Sequence, residues 1–121
     1  MKNKGPKNGE VLQTVALLEK TGRKEKKAFW KDIAKRIVKP RRQRVSVNVW
    51  KLNKVNQKLG KKFLLVPGKV LSFGTLEKPI NVIALEYSKA AKKKISEKGK
   101  ALSIRDAINE KIKTNDIAII G

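Results

Sequence analysis

The segment Lys39-Pro40-Arg41-Arg42-Gln43-Arg44 places three arginines within four positions, directly behind a proline. The proline pushes Lys39 out of the α region, so the run should leave a preceding helix as a constrained, extended stretch. Arginine presents a planar fork of N–H donors that matches phosphate oxygens and also stacks on exposed bases. On an extended chain alternate side chains point to opposite faces, which suits a phosphodiester backbone running beside it. Gln43 and Asn48 carry amides able to reach base edges or ribose hydroxyls. The plainer reading of the run is a solvated basic turn or a localisation-type signal.

Other cations extend this chemistry. Lys31 and Lys35 lie one helical turn apart, with Lys27 in the same row; such like charges repel by a few tenths of a kcal/mol per pair unless a partner offsets them. Asp32 stands four residues before Arg36 and can neutralise it, so part of this face is equally readable as solvated. Lys51 and Lys54 flank Trp50 near Asn48, which makes that indole a candidate for stacking on an unpaired base. Trp30 fits a core instead. Pro67-Gly68-Lys69 suggests a glycine turn whose amides and lysine approach a phosphate. It is not a nucleotide loop, because Val70 follows Lys69 and Phe63 occupies the position of the first glycine. Lys92-Lys93-Lys94 reads as a solvated face, with Glu97 able to pair with Lys93. Lys2, Lys4 and Lys7 sit in residues 1–9 with two glycines and a proline, a flexible basic arm expected to fold only against a partner.

Catalytic chemistry is poorly provided for. The chain has neither His nor Cys, which excludes a Cys/His zinc site, a disulfide framework, a thiol nucleophile and an imidazole base. Asp106 and Glu110, one turn apart, are the closest carboxylate pair, and with Asp116 they define a metal-dependent nuclease as one possible reading. Near a helix start, Asp106 is explained more simply by the helix dipole. The expectation is a protein that is not an enzyme, with no cofactor, no metal and no small-molecule substrate.

Charge points to the partner. Lys and Arg number 31 against 10 Asp and Glu, a net charge of +21 over 121 residues. Self-repulsion of that size opposes compaction unless a polyanion neutralises it. Residues 1–62 carry 20 basic and 4 acidic side chains, and residues 63–121 carry 11 and 6, so the first half is the more strongly cationic. Apolar residues are 40% of the chain and charged ones 34%, enough for a modest core in one domain. The longest apolar runs, such as Val15–Leu18 and Ile117–Ile120, span four residues, where a membrane helix needs about 20. The basic start lacks the apolar stretch of a signal peptide. A soluble, cytoplasmic protein without membrane contact is expected.

The elements that must position these residues follow from periodicity. Val11, Val15 and Leu18, joined by Leu12, mark a helix that Gly22 should stop. Phe29, Ile33 and Ile37, with Trp30 and Ala34 beside them, mark a second helix ended by Pro40. A short strand to Val47 should precede a helix capped by Asn48. Phe63–Val66 is expected as a strand ended by Pro67-Gly68 and resumed over Lys69–Phe73. Ile80–Tyr87 is the best strand in the sequence. Ser88 should cap a helix to Lys98 stopped by Gly99, and Leu102 marks another short strand. Ser103-Ile104-Arg105-Asp106 resembles a capping box opening a helix to about Lys113, with a last strand over Ile117–Ile120. The expected fold class is α/β: an irregular stack of short strands and helices, preceded by basic N-terminal helices and the short arm. The expected organisation is the arm 1–9 and a single domain 10–121, with a basic helical half over 10–62 and a strand/helix core over 63–121.

In their order the motifs Trp30-Lys31-Asp32-Ile33-Ala34, Lys39-Pro40-Arg41-Arg42-Gln43-Arg44, Val47-Asn48, Val66-Pro67-Gly68-Lys69-Val70-Leu71 and Ser88-Lys89-Ala90-Ala91 before Ile95 resemble the eighteen-e family of archaeal large-subunit ribosomal proteins. The resemblance runs from about Phe29 to Ile120. It implies an α/β fold of the kind shared with the C-terminal part of bacterial large-subunit protein fifteen. It also implies a structural role in translation: binding and holding large-subunit ribosomal RNA beside neighbouring ribosomal proteins, without turnover. Lys39, Arg41, Arg42 and Arg44 become the first RNA-contact candidates, followed by Asn48 and the Gly68-Lys69 turn, and Gly74 is expected at a tight bend. The chain departs from the pattern at Val49-Trp50 and Ser72-Phe73, where smaller or more polar residues are usual. The charge alone equally suits a free-standing DNA-compacting, chromatin-like protein, although a mixed α/β core is not an obvious groove-reading or wrapping scaffold.

Overall fold

The computed structural model describes residues 8–25, 28–39, 44–59 and 62–120. The chain divides into two compact units, 1–44 and 45–121. The first carries 15 basic and 4 acidic side chains (+11), the second 16 and 6 (+10).

The first unit contains α1 (Asn8–Glu25) and α2 (Ala28–Ile37), which pack on each other. On α1 the buried side is Val11, Thr14, Leu18 and Thr21, recurring at three and four residues. Leu12, expected on this stripe, is 61% exposed. Gly22 does not stop the helix: it lies buried inside it, and α1 continues to Glu25. The helix also begins at Asn8, within the stretch expected as an extended arm. On α2 the buried set is Trp30, Ile33, Ala34 and Ile37. Trp30 is core, as its neighbours in sequence suggest, and Phe29 meets its ring edge-on with centroids 5.0 Å apart.

The second unit is a five-stranded, wholly parallel sheet of β1 (Val45–Asn48), β2 (Phe63–Leu71), β3 (Asn81–Tyr87), β4 (Lys100–Ser103) and β5 (Ile117–Ile119). Helix α3 (Val49–Leu59) links β1 to β2, α4 (Lys89–Lys98) links β3 to β4, and α5 (Ile104–Asn109) with a 3₁₀ turn links β4 to β5. Parallel strands need such crossovers; β2 and β3 are joined instead by a long loop over 72–80. One core gathers Leu64, Val66, Val70, Val82 and Ala84 of the sheet with Val49 and Leu52 of α3 and Ala91 and Ile95 of α4. Leu65 and Ile83, of opposite parity and therefore on the other face, are fully buried as well, as are Ile104 and Ala107 of α5. Two buried faces explain why these strands read as continuous apolar runs.

Strand β2 corrects the expected break at Pro67-Gly68: it runs unbroken from Phe63 to Leu71. Against β3 the register shifts between Val66 and Lys69, so Pro67 sits in a bulge where no ladder N–H is required. Along the other edge β5 pairs with Phe63–Leu65 and β1 with Gly68–Leu71. Pro67 falls in the gap between them. Its missing donor leaves no partner unsatisfied.

The caps behave as expected at α4 and at the start of α5. The Ser88 hydroxyl accepts from the Ala91 amide and Gly99 ends the helix, while Ser103 and Asp106 form a reciprocal capping box. The end of α5 differs: it stops at Asn109 rather than near Lys113. Lys111 adopts a left-handed φ of 55°, with its amide bonded to the Ile108 carbonyl and that of Ile112 to the Ala107 carbonyl. This is a Schellman stop with lysine where glycine is usual. A side chain there costs about 1–2 kcal/mol, and glycine returns about 0.5–1 of that as unfolded-state entropy. Lys111→Gly is therefore expected to stabilise by about 0.5–1 kcal/mol, raising the thermal midpoint by about 3 °C; a fall in the midpoint would contradict the strain.

The Tyr87 hydroxyl ties strands β3 and β4, lying 2.6 Å from the Leu102 carbonyl and 2.9 Å from that of Val82. Burial, with the Asp106 carboxylate adding to it, pushes this phenol well above its usual range, so it stays a neutral donor.

Candidate nucleic-acid interface

In the first unit, Lys31 and Lys35 are exposed on the side of α2 away from its buried stripe, and Lys39 is exposed just beyond the helix. Arg36 bonds Asp32 at 3.1 Å, as their spacing suggests. Arg44 has a role that its neighbours in sequence conceal. Its Nε donates to the carbonyls of Ile37 and Lys39, both at 3.0 Å. A helix leaves its last carbonyls without intrahelical partners, and a cation there also meets the negative end of the dipole. Arg44 thus fastens the end of α2. Arg41, Arg42, Lys2, Lys4 and Lys7 lie outside the described residues.

In the second unit, Asn48 is half-buried at the end of β1, and Lys51 and Lys54 are exposed on α3 with Trp50, itself 46% exposed. The Gly68-Lys69 turn does not form. Gly68 is buried within β2, and a Cβ there would lie 2.0 Å from the Val45 carbonyl oxygen, so glycine is required for the approach of β1. Lys69 faces Glu86 across the β2–β3 ladder, with Nζ 3.8 Å from the carboxylate, which is largely buried. Neither residue sits at a tip that could cradle a phosphate.

Lys94 is likewise not part of a simple solvated face. Its ammonium donates to the Ser72 and Gly74 carbonyls at 2.7 and 2.8 Å, and that of Lys98 donates to the Leu76 carbonyl at 2.7 Å. Lys92 and Lys93 are exposed. Gly74 makes the expected bend, with φ +112° and its α-carbon pressed against Trp50.

Asp106 is committed to the capping box, and Asp116 lies 4.0 Å from Lys62. Among the described residues, no group of three or more His, Cys, Asp or Glu comes together to hold a metal ion, so the Asp106, Glu110 and Asp116 set required by a metal-dependent nuclease is not assembled. No helix among the described residues is long and apolar enough to cross a membrane.

A parallel α/β sheet with lysine-rich helices, next to a separate helical unit of equal charge, defines a basic protein suited to a polyanionic partner. Residues 30–101, from α2 through β4, match the ribosomal protein family that unites 50S-L15 and 50S-L18e with a 60S counterpart, and the chain belongs to that family. It is 40% identical over 107 residues to the large ribosomal subunit protein eL18 of Sulfurisphaera tokodaii, covering 88% of this chain and 86% of the relative. It is 36% identical over 120 residues to the protein of the same name from Methanopyrus kandleri, covering 96% and 94%. With the one from Methanospirillum hungatei it shares 37% over 114 residues, 93% of each. The resemblance carried by the ordered motifs holds.

Proposed function

We propose that the chain is a structural component of the large ribosomal subunit, in the cytoplasm, where it binds and holds large-subunit ribosomal RNA through lysine and arginine contacts to phosphates. The observation that carries this reading is the family match over residues 30–101, a span that includes the exposed Lys31, Lys35, Lys39, Lys51 and Lys54. Arg41, Arg42 and the lysines at 2, 4 and 7 complete the proposed contact set, with Asn48 as a polar neighbour. Gly68 and Arg44 serve it by positioning: one admits β1 to the sheet and the other fastens the end of α2. Neighbouring ribosomal proteins are the other expected partners, and no turnover is involved.

Sedimentation of the native protein from a lysate after a high-salt wash tests this. The wash matters because a chain of charge +21 clings to any ribosome at low ionic strength. Retention in the large-subunit peak at about one copy per particle is the expected result. Quantitative release to the top of the gradient would overturn it and favour a free-standing DNA-binding role.

A further inference from the structure

We propose that Trp50 and Phe73 form a stacking face for an unpaired RNA base, rimmed by Lys51 and Lys54; the proposal rests on the RNA-binding reading and names what the RNA must offer there. Trp50 is 46% and Phe73 73% exposed, and among the described residues of the 45–121 unit they are the large apolar side chains left in solvent.

The exposure is built in. The Trp50 amide donates to the Phe73 carbonyl at 3.0 Å, which sets the two residues side by side. The absence of a side chain on Gly74 makes room for this approach, since a Cβ there would lie 2.5 Å from that of Trp50. Lys94 holds the carbonyls on either side of Phe73, those of Ser72 and Gly74, and Lys98 holds that of Leu76. Asn53 and Glu77 exchange two hydrogen bonds of 3.0 Å, tying the same loop to α3. A loop fastened at so many points does not carry an exposed ring by being loose. It presents one.

The surroundings select the occupant. Lys54 lies one turn from Trp50 on the same side of α3, Lys51 is adjacent, and both are exposed. The carboxylate of Glu77 is bonded by Asn53. A protein partner would call for a contiguous apolar patch of several hundred Å², whereas a base needs only one ring face with cations near its phosphate. The base must be unpaired, because a base inside an A-form helix is already stacked on its neighbours.

The full chain, its Trp50→Phe form and its Trp50→Ala/Phe73→Ala form can be titrated with an adenylate oligomer of about twelve nucleotides and with an abasic ribose-phosphate oligomer of equal length. The adenylate oligomer is expected to quench indole emission in the native chain but not in Trp50→Phe, and the abasic one in neither. The double variant should bind adenylate about tenfold or more weakly, with abasic affinity and salt slope unchanged. Equal binding of both oligomers by native and double-variant chains, without quenching, would overturn the stacking face and assign the aromatic pair to a protein neighbour. Absence of salt-dependent binding to either oligomer would overturn the RNA reading itself.

Discussion

Gly99→Ala is expected to destabilise the second unit by about 3 kcal/mol or more, at the upper end for overpacking. A Cβ at this position would lie 1.8 Å from the Ile80 carbonyl oxygen and 2.7 Å from its carbon. Both are main-chain atoms, so no rotamer change relieves the clash. The same Ile80 oxygen accepts from the Lys100 amide at 3.2 Å, where β4 begins to pair with β3. Moving it far enough disrupts the start of that ladder. Gly68→Ala should behave alike, through the Val45 carbonyl and the start of the β1–β2 pairing. An unconstrained Gly→Ala change instead stabilises by about 0.4–1 kcal/mol, so the sign of the effect separates the two cases. Urea titration should show each midpoint falling by about 2 M, for a slope near 1.5 kcal/mol/M. An unchanged or raised midpoint would mean that the strands do not approach through these glycines.

Gly99 also shows what was legible. A glycine after an amphipathic run capped by Ser88 reads as a helix stop, and it is one. Its second duty, admitting Ile80, depends on a residue 19 positions away and leaves no local trace. The same division runs through the chain. The capping box at Ser103, the burial of Trp30 and the Asp32–Arg36 pair depend on residues within one helical turn, and their spacing announces them. Pro67-Gly68 reads as a strand end because proline normally ends ladders. It is tolerated inside β2 because β5 and β1, from opposite ends of the unit, leave the same edge vacant at that point. Lys69 and Lys94 each look like surface cations, and only the fold brings them to Glu86 and to the carbonyls of the 72–80 loop. Lys111 hides a helix end because the usual glycine is missing. Where a cation does something other than its spacing suggests, the cause is a partner in the chain's own backbone or across its own sheet.

That distinction shapes the expectation for the basic segment. Changing Lys39, Arg41 and Arg42 together to Gln should weaken binding to large-subunit RNA by roughly 100-fold at about 0.1 M salt, since each lost phosphate contact removes about 0.7 from the slope of log affinity against log salt. The total slope should fall by about 2, and thermal stability should stay close to native, because phosphate contacts are absent from the free protein. Arg44→Gln should do the reverse. Its Nε closes the carbonyl end of α2 through Ile37 and Lys39, and its loss should lower stability by about 1–2 kcal/mol with a smaller change in slope. Salt-dependent binding and thermal melting on the same four proteins separate the roles: native, triple variant, Arg44→Gln and the combination. A triple variant with an unchanged slope would remove Lys39, Arg41 and Arg42 from the interface and leave the cations of α2 and α3 to carry it. If Arg44→Gln lost slope but no stability, the arginine would face phosphate rather than the end of its own helix.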